Sequence, residues 1–162
     1  MLDIYTVAFF GHREIDHFRE TEQTLEKLIE SLMREHEYVE FLVGRNGEFD
    51  QMVSSTVREV RNRLGCRNCS LTLVLPYMTA EFRDNEESFL SYYDEVEICQ
   101  ASASTHFKAA MQTRNREMVE RADLVVFCVD HASGGDYQTL KYAKKIHKPY
   151  INISEKRTAL GL

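Results

Sequence analysis

The sequence lacks the features that would place it in several large classes. Among its 162 residues there are only two prolines and no Ser/Gly-rich stretch. No linker is therefore visible, and one domain over 1–162 is expected. No apolar run approaches the roughly 20 residues that a membrane span needs. Met1–Phe10 has neither the basic start nor the cleavage pattern of a signal peptide. These absences predict a cytoplasmic protein with no membrane partner. Positive charge is also scarce, with 20 Lys and Arg against 26 Asp and Glu and a net charge of −6. A duplex-binding surface is usually basic, so this balance argues against nucleic acid as a partner. Cysteine is sparse too, and the four present are expected to be reduced in that compartment. Cys66 and Cys69 make one C-x-x-C with no second pair at zinc spacing, so no metal site is expected. The motif also precedes a strand instead of opening a helix, which weakens a redox reading. No internal repeat is visible.

What is present describes a globular chain with enough apolar residues for a full core, at 43% apolar and 28% charged. Ile4–Phe10 reads as a buried first strand. His17 to Glu37 places Phe18, Leu25, Leu28, Ile29 and Leu32 at helical spacing. Tyr38–Val43 is a second strand, and Asp50 is positioned to cap a helix running to about Leu64. Ser70–Leu75 is a third strand, closed by Pro76. Arg83–Tyr93 reads as a short helix or irregular segment, and Asp94–Ile98 as a short strand. A long helix follows from near Ser104 to Arg121. The β-branched run Leu124–Val129, the helix Gly135–His147 and a strand at Tyr150–Ile153 complete the pattern. Alternating strands and helices predict a Rossmann-like three-layer α/β/α sandwich with a mainly parallel sheet.

In such a sheet, ligands bind beyond the carboxyl ends of the strands, so the loops after the strands carry the interest. Gly11, His12 and Arg13 follow the first strand, and Gly44, Arg45 and Asp50 follow the second. Tyr77 follows the third, and Gly134, Gly135 and Asp136 follow the strand at Leu124–Val129. The glycine pair lets the backbone turn tightly before a helix whose first unpaired N–H groups can face a phosphate. Arginine there offers a forked cation, and histidine a neutral hydrogen-bonding ring. Plain alternatives stand beside these readings. His12 and Arg13 would also make a surface turn, Asp50 a helix cap, and Tyr77 a cover for the sheet edge. Arg114, late in the long helix, would on its own be a solvated rim residue.

The motifs FFGHRE, GRNGEFD, LVLPY, YDEV, RNREMVERADLVV and GGDYQTLKYAKK…KPYINI occur in order between Phe9 and Ile153. Together they resemble the SLOG superfamily, and more closely its YpsA-like stand-alone bacterial branch. The resemblance implies a Rossmann-like fold that binds nucleotides or nucleotide-derived ligands such as NAD or ADP-ribose derivatives. LOG phosphoribohydrolases and the DNA-processing protein DprA are other members. LOG enzymes carry an Arg-Lys pair and a PGGxGTxxE loop. Against that pattern Arg114 matches the arginine, Asn115 replaces the lysine, and Gly134 and Gly135 match two glycines. Ser133, Tyr137 and Gln138 depart from it, and Lys141 stands where the catalytic glutamate is expected. A lysine cannot do a carboxylate's acid–base work.

The resemblance therefore favours a binding protein over a LOG-type hydrolase. The expected partner is a small-molecule nucleotide (NAD, ADP-ribose or a mononucleotide), held without any required cofactor. The alternative is a nucleotide-cleaving hydrolase that uses a different carboxylate, with Glu48 and Asp50 as the available groups. Members of the superfamily are often dimers, and the apolar long helix leaves a homodimer open.

Overall fold

The computed structural model describes residues 2–102 and 106–154. In chain order its elements are β1 (Ile4–Gly11), α1 (Phe18–Glu35), β2 (Tyr38–Val43), α2 (Glu48–Leu64), β3 (Cys69–Leu75) and α3 (Ala80–Asp84). Then come α4 (Glu86–Tyr92), β4 (Glu95–Ile98), α5 (Phe107–Arg121), β5 (Leu124–Cys128), α6 (Gly135–Lys145) and β6 (Tyr150–Asn152). The strands form one sheet in the order β4-β3-β2-β1-β5-β6. Every pairing is parallel, so the predicted α/β class holds.

Side chains alternate across the sheet as the pleat requires. Val7, Phe9, Phe41, Leu71 and Leu73 point to one face, where α1 and α2 cover them with Leu25, Ile29, Val53 and Val57. Ala8, Phe10, Leu42, Val74 and Phe127 point to the other, under Met118 and Val119 of α5 and Leu140 and Ala143 of α6. Two apolar layers thus sandwich a sheet buried on both sides, which is why the strands read as nearly unbroken apolar runs. The chain steps outward from β1 to β4, then crosses back through α5 to β5 on the far side of β1. The order reverses between β1 and β5, and that crevice is the place for a ligand in such a sheet.

Three details differ from the sequence expectations. Asp50 does not cap α2. The helix starts three residues earlier with Gly47 at its N-cap, because Glu48 N–H donates to Arg13 O at 2.9 Å and satisfies the helix end from the neighbouring loop. The ambiguous middle resolves into α3, capped by Thr79 Oγ1 accepting from Phe82 N–H at 3.1 Å, and α4. The long helix α5 begins at Phe107, and Ser104 lies outside the described residues. Among the described residues no helix is long and apolar enough to cross a membrane.

Candidate functional site

A pocket of about 460 Å³ opens at the crevice where the strand order reverses, a size within the usual range for small-molecule sites. Loops after β1, β2 and β5 and the first turns of α5 enclose it. Arg13, Lys108 and Arg114 bring three cationic side chains to its lining, against two carboxylates, Asp50 and Asp136. The chain carries −6 overall, yet this pocket leans positive.

Arg114 forms its floor and is only 3% exposed. Burying an arginine is costly unless its donors are satisfied and its charge is faced by carboxylate. Both conditions are met. Its Nη1 donates to Val74 O at 2.8 Å and its Nε to Asn115 Oδ1 at 3.0 Å. Burial pulls its pKa below the ordinary arginine value, while Asp50 and Asp136 pull it back. Asp50 accepts from Asn46 N–H at 2.8 Å, and burial pushes its carboxyl up. Asp136 is pushed to about 7, first by burial and then by the nearby Asp50 charge, with Arg114 and Arg13 opposing. The result is a cluster of two arginines and two carboxylates around one cavity.

The glycine loop meets this cluster from above. Gly134 has φ 90° and ψ 174°, a region that only glycine occupies without strain. The turn delivers Gly135 and Asp136 to the pocket wall at the N-terminus of α6. A hydrogen-bonded chain locks that turn to the floor. Asn115 Nδ2 donates to Thr139 Oγ1 at 3.2 Å, and Thr139 Oγ1 donates to Gly135 O at 2.9 Å. Gly44 is required by contact instead of by angle: a Cβ there would lie 2.9 Å from Arg114 Nη1 and 3.0 Å from Asp50 Oδ2.

Seven of the eleven sequence candidates therefore line the main pocket: Gly11, Arg13, Gly44, Asp50, Arg114, Gly135 and Asp136. Gly11 is there for packing, since a Cβ would overlap the Phe49 ring. Gly134 shapes the turn just outside. Tyr77 sits in a smaller side chamber that adjoins the main pocket. His12 is turned aside. Its Nε2 accepts from Asp130 N–H at 3.1 Å, its ring stacks on His131 at 3.6 Å, and burial lowers its pKa. His12, Asp130 and His131 offer ligand atoms within 4.8 Å of one another. The two rings are stacked and nearly parallel, at 11°, an arrangement that does not converge both imidazole lone pairs on one point.

Arg45 also leaves the main pocket, donating to Glu81 Oε1 at 2.9 Å and to Tyr93 Oη at 3.2 Å. Glu48 points the other way, its Oε2 accepting from Ile15 N–H at 2.8 Å, so Asp50 and Asp136 are the carboxylates in the pocket. Lys141 is exposed and lies over the Tyr137 ring, away from the lining. Sequence reasoning missed Gln112 and Asn115 as site residues, and it missed Gly47. A Cβ on Gly47 would lie 2.5 Å from Arg13 Cα, so this glycine lets the Arg13 loop dock. The G-R-N-G spacing was the available signal for it.

An all-parallel sheet with helices on both faces and a polar crevice at its reversal point defines a Rossmann-like fold. The particular likeness is to DprA, a member of the SLOG superfamily that the sequence resembles. DNA processing protein A from Helicobacter pylori, whose structure is described in terms of a unique single-stranded DNA binding mode, superposes with a TM-score of 0.61. It is 16% identical, over 90% of this chain and 63% of that one. The X-ray structure of DprA from Streptococcus pneumoniae gives a TM-score of 0.64 at 14% identity, over 91% of this chain and 49% of that one. The chain thus spans about half to just under two thirds of the length of these neighbours. No family model and no curated protein matches it. The comparison corrects one expectation. Net charge argued against nucleic acid, but a neighbour with this fold binds single-stranded DNA. Total charge averages over the whole surface, whereas single strands need only one favourable groove.

Proposed function

We propose that the pocket binds a nucleotide unit, as a free ligand such as NAD, ADP-ribose or a mononucleotide, or as one residue of single-stranded DNA. The observation that carries this reading is buried Arg114, held among Asp50, Asp136 and the glycine turn at the sheet's reversal point. The N-terminus of α6 and Arg13 hold the phosphate, since unpaired helix N–H groups and a guanidinium both suit an oxyanion. Asp50 and Asp136 accept from ribose hydroxyls. Lys108 at the rim adds charge for an incoming anion.

Calorimetry against NAD, ADP-ribose and AMP, with fluorescence anisotropy against a labelled single-stranded oligonucleotide, tests it. Binding in either assay that is lost in Arg114→Met supports the reading. No binding to any of these at millimolar ligand sinks it.

A cleavage reading has one observation in its favour, the Asp136 carboxyl held at about 7 beside Asp50. A carboxyl with that pKa can give or take a proton at neutral pH. Chromatography for base released from nucleotides distinguishes the two, and intact recovered ligand leaves binding alone.

A further inference from the structure

A side chamber of about 100 Å³ adjoins the main pocket, and the two share Asn46, Phe107, Met111 and Arg114. Its remaining walls include Leu75, Pro76 and Tyr77 from the end of β3. Arg45 and Glu81 also line the chamber but pair with each other at 2.9 Å, and Tyr77, Phe107 and Met111 supply its apolar and aromatic surface. Phe107 stands at the junction on the first turn of α5, with 57% of its surface exposed. A phenylalanine facing solvent at a pocket mouth is poorly explained by core packing. Tyr77 lies against it with ring centroids 5.9 Å apart and planes tilted by 57°. That contact gives the Phe107 ring an aromatic neighbour on one side and leaves the rest of it open. Met111 is one helical turn further along and extends the same apolar surface. Asn46 adds an amide at the junction, with both donors and an acceptor for a ring edge.

We infer that Phe107, backed by Tyr77 and Met111, is the platform on which a nucleobase stacks while the phosphate lies against the α6 N-terminus. This assignment rests on the nucleotide reading above and adds which part of the ligand gives affinity. Base–aromatic stacking tolerates any base, because every base offers a π-face. The site is therefore expected to prefer base-bearing ligands over sugar phosphates without strong choice among bases.

The test is calorimetric titration of AMP, CMP and ribose 5-phosphate into the parent chain, Phe107→Ala and Phe107→Tyr. The parent is expected to bind AMP and CMP about tenfold or more tightly than ribose 5-phosphate. Phe107→Ala should bring that ratio to about threefold or less with ribose 5-phosphate affinity unchanged, and Phe107→Tyr should keep it. Phe107 is largely exposed, so Phe107→Ala should melt like the parent, and a circular-dichroism melt checks this. Equal affinity of the parent for all three ligands overturns the platform alone, as does a ratio that survives Phe107→Ala. Failure of all three to bind overturns the nucleotide reading and the platform with it.

Discussion

Asn115 Nδ2 donates to Thr139 Oγ1 at 3.2 Å and so ties the helix that carries Arg114 to the first turn after the glycine pair. Asn115 also accepts from Arg114 Nε at 3.0 Å, which makes it the joint between the pocket's floor and its wall. Asn115→Leu keeps the approximate volume but strands a buried guanidinium donor. The expected loss of stability is about 1–3 kcal/mol, read from urea midpoints. A double-mutant cycle with Thr139→Val should show coupling of at least ~0.5 kcal/mol. Strict additivity would mean the two residues act independently.

Two glycines separate angle from contact. Gly134→Ala meets nothing within 4 Å but forces a side chain onto φ 90°. Its expected cost is about 1–3 kcal/mol in stability, with ligand affinity lost as the turn relaxes. Gly44→Ala has ordinary backbone freedom, yet its methyl presses on Arg114 and Asp50. That variant should lose affinity by more than tenfold while Arg114 shifts, a displacement a crystal structure of the variant would record.

Asp136 gives the fold a pH dependence whose sign is fixed. An unfolded aspartate ionises near 3.9, whereas burial and Asp50 hold this one at about 7. Between those values the folded state holds the extra proton, so stability falls as pH rises through that window and levels off above it. Asp136→Asn removes the slope. It should exceed the parent by ~4 kcal/mol at pH 8 and match it near pH 4, in urea titrations at both values. The same reasoning makes affinity for NAD, whose own charge is constant here, weaken from pH 6 to pH 8, because the ionised Asp136 repels the pyrophosphate. A flat affinity profile would place Asp136 away from the bound anion.

Lys108 at the pocket rim should act at a distance. Lys108→Glu is expected to weaken a single-stranded oligonucleotide several-fold at low salt, with the difference shrinking as salt is raised. Loss that is insensitive to salt would point to a direct contact instead.

The strands were largely legible because a sheet buried on both faces writes itself as unbroken apolar runs, and Tyr38–Val43 was placed to the residue. Helix starts were less so. Glu48 opens α2 because Arg13 O accepts its N–H, a contact between loops that lie 35 residues apart in sequence. In the candidate pocket Gly11, Gly44, Gly135 and Asp136 were legible from their loop positions, whereas Gly47 was not, because its need comes from contact with Arg13. Arg114 looked like a rim residue on charge alone, since its burial depends on Val74 O, Asp50 and Asp136 arriving from three other segments. Arg45 shows the reverse. Its position after β2 suggested a ligand contact; it lies at the wall of the side chamber instead of the main pocket, held by Glu81 and Tyr93, which only the packing of α3 and α4 brings near.

The pairing of β1 with β5 has a consequence for how the protein is made. Asp123 Oδ2 accepts from Thr6 N–H at 2.8 Å across 117 residues of chain, and β5 adds its ladder to β1 from that point. During synthesis β1 can find β2 early, but its other edge waits until β5 has left the ribosome. Contacts of such sequence separation also form late because loop closure must come first. Arg13 and Asp50 are thus synthesised well before Arg114 and Gly134, the residues across the pocket from them. A chain without β5 leaves β1 an open sheet edge, and the pocket is complete only when that edge closes.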